Sequence, residues 1–139
     1  MTDLTVAKNN LGAHTICLCR DGNCIYDDRR GIAPMLGFIS SAVDLNGYSV
    51  ADRVVGKAAA LMFVKCGIVA VYAKTLSESG KKVLDKHNIP VECDTLTDKI
   101  INRDGTDICP MEKTVWDCDD PETAYVLLKN KLAAMTAKH

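Results

Sequence analysis

A chain of 139 residues, 47% apolar and 25% charged, has the length and composition of one ordinary globular domain, here taken as residues 1–139, and excludes a low-complexity or fibrous chain. Seventeen basic residues against eighteen acidic ones leave a net charge of -1, which offers no positive field to a phosphate backbone or an anionic membrane, so nucleic acid is not an expected partner. The longest apolar stretch, 58–73, is broken by Lys65 and Gly67, and no charged-then-apolar leader opens the sequence, so a cytoplasmic protein without a membrane span is expected.

Residues 4–11 read as a short helix that Asp3 can cap and Gly12 can end. Two β-type runs, 15–19 and 24–27, flank Asp21-Gly22 and predict a hairpin with a two-residue turn. In that register Arg20 faces Asn23 and Cys19 faces Cys24, their Cβ atoms about 4.5 to 5.5 Å apart. Ile16, Leu18 and Ile25 then share one face, and Cys17, Cys19, Cys24 and Tyr26 the other. The seven cysteines have neither the even count nor the paired spacing of a secreted scaffold or a zinc ribbon. They are read as reduced thiols, with Cys19 and Cys24 close enough to keep a disulfide open as the alternative.

Pro34 opens an amphipathic helix whose apolar positions are Met35, Leu36, Ile39, Ala42 and Val43, and 44–49, with Asn46-Gly47, reads as a loop. Residues 56–66 are apolar nearly all round and predict a buried helix that Gly67 terminates. The β-branched run 68–73 predicts a central strand, Thr75 and Glu78 a capping box, and the helix behind it runs to about His87, with Asn88 placed to end it. A strand over 89–95 returns parallel to the first through that helix. Residues 100–118 show no periodicity, and Asp120-Pro121-Glu122 then opens a last helix whose buried stripe is Ala124, Leu127, Leu128, Leu132 and Met135. Alternating helices and strands without a linker predict one three-layer α/β/α sandwich.

The segment Ala51-Asp52-Arg53-Val54-Val55-Gly56-Lys57-Ala58-Ala59-Ala60-Leu61, followed by Val71-Tyr72-Ala73, Ser77-Glu78-Ser79, Asn102-Arg103 and Cys109-Pro110-Met111-Glu112, resembles a bacterial family designated domain-of-unknown-function family 1893. The resemblance spans nearly the whole chain and includes Gly31-Ile32-Ala33-Pro34-Met35-Leu36. It implies a cytidine deaminase-like fold, in which helices sandwich a mixed sheet and the pocket lies where two helices begin. It implies no activity. Zinc deaminases carry H-x-E at one helix start and P-C-x-x-C at the next. The corresponding stretches here read Gly56-Lys57-Ala58 and Thr75-Leu76-Ser77-Glu78. A protonated lysine has no lone pair and serine is a poor zinc ligand, so no metal or other cofactor is expected at this place.

Lys57 at a helix start adds a cation to an end that already favours anions, and is the first candidate for clamping a nucleotide-like or other anionic metabolite or giving it a proton, against the alternative that it pairs with Asp52 or reaches solvent. Asp52, Arg53 and Gly56 precede that helix and Ser77 and Glu78 begin the next. All five are candidate ligand contacts, with caps and surface charges as the alternative for Asp52, Arg53, Ser77 and Glu78. Cys109 and Glu112 form a second candidate, a thiol nucleophile with a carboxylate three residues on, against the alternative of a buried thiol before a proline turn. Asn102 and Arg103 could hold an anion or tie down a turn; Arg29 and Arg30 could hold another or form a solvated corner. Trp116 and Tyr48 could stack on a base or cover an interface. The histidines, His14, His87 and His139, fall at a strand start, a helix end and the C-terminus. Three functions follow as expectations: an anion-binding protein or metal-independent enzyme using Lys57, a thiol-dependent hydrolase or transferase using Cys109 with Glu112 or Lys57, and a non-catalytic homo-oligomer.

Overall fold

Alternation along the first strand decides where everything else packs. In β1 (Ile16–Arg20) the side chains of Ile16 and Leu18 enter the main core, while Cys17 and Cys19 enter a second apolar cluster on the opposite face of the sheet. A computed structural model describes residues 2–102 and 104–136, and the remaining elements follow from this division. The second cluster is covered by α1 (Asp3–Asn10), whose Ala7 packs with the following Leu11 on Cys17, Cys19, Ala51 and Tyr72. On the other face, α2 (Ala33–Ser40), α3 (Lys57–Cys66), α4 (Glu78–Lys86) and α6 (Pro121–Thr136) surround a core built on Met35, Leu61, Met62, Phe63, Leu84 and Leu128.

Five strands make one mixed sheet, in the order β2 (Asn23–Asp27), β1, β3 (Ser49–Val55), β4 (Ala70–Ser77) and β5 (Val91–Thr97). The hairpin of β1 and β2 has the expected register, Arg20 facing Asn23 and Cys19 facing Cys24. Its turn residues Asp21 and Gly22 have φ of 50° and 84°, the left-handed pair that a twisted two-residue hairpin needs. The expectation of reduced thiols is corrected at Cys19 and Cys24, which are joined as a disulfide with their Cα atoms 4.2 Å apart. They face one another across the antiparallel ladder at its closer, non-hydrogen-bonded spacing.

The central strand is β3, antiparallel to β1 and parallel to β4. The sequence analysis predicts no element over 50–55, where Asp52-Arg53 interrupts the apolar pattern. β4 pairs parallel with β5 on its other side, as expected, but β5 lies at the sheet edge and is largely exposed.

Several boundaries also move. Thr75 lies inside β4, paired with Val54 and Thr95, so the cap of α4 is Ser77, whose Oγ accepts the Gly80 N–H at 3.0 Å. The cap of α1 is Thr2 rather than Asp3, and α2 stops before Ala42 and Val43. In α6 Ala124 and Leu128 are buried, whereas Leu127 and Met135 face solvent. The aperiodic region holds one short helix, α5 (Pro110–Thr114).

Candidate functional site

The helices α3 and α4 begin side by side. Gly56 caps α3 and Ser77 caps α4, and a Cβ built on Gly80 would lie 3.0 Å from the Gly56 carbonyl carbon and oxygen. Two strand ends therefore deliver two helix N-termini to one spot, where unpaired N–H groups and helix dipoles attract negative charge.

That charge comes from the chain itself. Glu112, buried on α5, accepts the Lys57 N–H through Oε1 at 2.7 Å and the Ala58 N–H through Oε2 at 2.8 Å. Gly56 is what admits it, since a Cβ there would lie 2.0 Å from Glu112 Oε1. Burial pushes the Glu112 carboxyl above its ordinary range, against the opposing pull of the two N–H bonds and the Lys57 charge. Cys109 stands one residue before α5 and, with Ile32, Gly56, Ala58 and Glu112, lines a hollow of about 90 Å³. A ligand of nucleotide size needs roughly 300 Å³ or more.

Lys57 divides its roles. Its backbone N–H serves Glu112, while its side chain, only 13% exposed, turns to Asp119 Oδ1 at 3.0 Å and the Trp116 carbonyl at 3.0 Å. There it lines a groove of about 370 Å³ with Ser79, Lys82, Lys86, Trp116 and Asp119. Lys57 holds the Asp119 carboxyl below its ordinary range, with a smaller contribution from Lys86. Lys82 and Lys86 form no ion pair among the described residues, so the groove sets three ammonium groups against one carboxylate. Trp116 is 49% exposed beside them. Sequence reasoning missed Lys82, Lys86, Ser79 and Asp119. The four-residue spacing of Lys82 and Lys86 places both on one face of α4, but nothing local says that this face looks toward Lys57 and Trp116.

The other candidates lie elsewhere. Asp52 and Arg53 sit within β3, not at a helix start. The buried Asp52 carboxylate accepts the Arg53 N–H at 2.7 Å, and burial raises its pKa to about 7. The Arg53 guanidinium instead ties down the loop after α1, donating to the carbonyls of His14 at 2.8 Å and Gly12. Ser77 is spent on capping and Glu78 is exposed in the first turn of α4. Asn102 accepts the Thr106 N–H at 3.1 Å inside its own turn. Arg103 and His139 lie outside the described residues. Arg29 pairs with Asp27 at 2.7 Å, His14 Nδ1 lies 2.7 Å from Asp28 Oδ1, His87 ends α4, and Tyr48 packs half-buried on the core. No helix is long and apolar enough to cross a membrane among the described residues.

No curated protein matches the chain. Among solved structures it is similar to a DUF1893 family protein (TM1506) from Thermotoga maritima, with a TM-score of 0.83, 23% identity, and coverage of 94% of this chain and 91% of the other. That likeness concerns the fold. Residues 7–132 match the family described as Domain of unknown function (DUF1893), a span covering nearly the whole sequence, and the chain belongs to that family.

Proposed function

We propose that the protein binds a phosphorylated metabolite with a planar ring, of the nucleotide class, in the groove between Lys57, Lys82, Lys86 and Trp116. One observation carries the reading: Lys57, Lys82 and Lys86 line one groove with a single carboxylate, Asp119, and the half-exposed Trp116. A phosphate displaces Asp119 from Lys57 and gains Lys82 and Lys86, while the indole offers a ring face for stacking. We read the fold as a three-layer, cytidine deaminase-like sandwich in which Glu112 serves the helix start internally, so recognition needs no metal. In its support, two helices begin together at the end of a mixed sheet, and Gly56-Lys57-Ala58 carries no zinc-binding side chain.

Trp116 is the sole tryptophan, so its fluorescence reports on this groove directly. Titration with adenosine and cytidine monophosphates is expected to quench that emission and raise the Tm, while the uncharged nucleosides do neither. Lys86→Glu and Lys57→Ala should each weaken the response about tenfold or more, as loss of one charge-assisted contact worth about 1.5 to 3 kcal/mol requires. Chelation with EDTA should leave the affinity unchanged. Equal binding by parent and both variants would sink the reading. The Cys109 nucleophile reading has less behind it, because Glu112, its intended base, is committed to two backbone N–H groups.

A further inference from the structure

A second cluster of reactive groups lies on the other face of the sheet, outside the groove. Cys17 and Cys19 on β1 and Cys24 on β2 bring their sulfur atoms within 4.8 Å of one another, the only such group of three metal-ligating side chains among the described residues. Cys17 Sγ and Cys19 Sγ are 3.7 Å apart. Metal–sulfur bonds of about 2.3 Å, the zinc–thiolate value, place two sulfurs on one ion roughly 3.8 to 4 Å apart at tetrahedral or trigonal angles. Cys17 and Cys19 are fully buried beneath α1, and Cys24 is half-buried at the rim, which gives an ion one side from which to approach.

We propose that, after reduction of the Cys19–Cys24 disulfide, Cys17, Cys19 and Cys24 bind one monovalent copper ion through three sulfurs. Thiolates select soft cations, chiefly monovalent copper, zinc and iron–sulfur clusters. Structural zinc takes four protein ligands, and among the described residues no histidine or carboxylate joins these three sulfurs as a fourth. The packed apolar wall of Ala7, Leu11 and Ala51 leaves a three-coordinate, all-sulfur site.

The steps balance. A dithiol reductant delivers two electrons and two protons to the Cys19 and Cys24 sulfurs and leaves as its own disulfide. Copper enters as the monovalent ion and keeps its oxidation state, and each thiol that becomes a thiolate ligand releases one proton to solvent. Disulfide and metal complex are mutually exclusive forms of the same three residues.

The full chain, reduced with dithiothreitol and desalted without oxygen, would be titrated against the monovalent copper complex of bicinchoninate. One equivalent of copper should transfer to the protein, and X-ray absorption should show three sulfur neighbours on it. Cys24→Ser and Cys17→Ala should each weaken competition by about 100-fold, whereas Cys93→Ser and Cys118→Ser should match the parent. The oxidised protein should leave the copper with bicinchoninate. If buried Cys17→Ala loses its helical circular dichroism, the half-exposed Cys24→Ser and the parent's absorption spectrum decide. Equal competition by Cys24→Ser, fewer than three sulfurs on the bound copper, or stoichiometric zinc held in preference to copper would each overturn the proposal.

Discussion

Glu112 reaches the start of α3 from fifty-five residues away and meets both N–H groups there. Glu112→Gln keeps the shape but removes the charge and one acceptor, and a loss of about 1 to 3 kcal/mol in urea-unfolding free energy is expected. Gly56→Ala puts a methyl where that carboxylate sits. It should cost about 2 to 4 kcal/mol, because Glu112 must leave and two buried N–H groups lose their partner. Asp52 provides a test in pH. Its folded pKa of about 7 stands above the unfolded value of about 3.9, so the fold favours the neutral acid. That contribution is complete below about pH 4 and is lost as pH rises through 7. Asp52→Asn should therefore be the more stable protein at pH 8. Its stability should also fall about 2 kcal/mol less than the parent's between pH 5 and pH 8, measured by urea unfolding at both. Sequence inspection found Asp52, Glu112 and Lys57 as residues of interest. It could not assign their partners, because a carboxylate's energy depends on groups far off in the chain.

Elements were legible where a few neighbouring residues set the backbone. Asp21-Gly22 demands a left-handed turn and fixes the hairpin register, and Gly67, with φ of 74°, ends α3 as expected. Gly22→Val should destabilise the protein by about 1 to 2 kcal/mol in thermal or chemical unfolding, since a β-branched residue is strained at positive φ. The strand β3 was not legible. Its polar pair takes opposite directions, Asp52 into a buried site and Arg53 to the loop after α1, and this only makes sense once strands flank it on both sides. The α4 cap shifted from Thr75 to Ser77 for a related reason: pairing of β4 with both β3 and β5 carries the strand two residues beyond Thr75.

At the scale of the molecule, the five strands among the described residues share one sheet, and every long helix there lies against it or against another helix. A single cooperative transition is the expected outcome, with circular dichroism and Trp116 fluorescence giving coincident urea curves. The sequence alone determined most of the helices and strands, β3 apart, the hairpin and its cysteine register, the buried α3 and the absence of His or Cys from Gly56-Lys57-Ala58, because each rests on residues close together in the chain. Only the tertiary structure decided that Glu112 takes the helix start and that the Lys57 side chain turns to a groove with Lys82, Lys86 and Trp116. Those arrangements depend on the order of strands in the sheet and on which helix faces meet across it, and no local pattern encodes either.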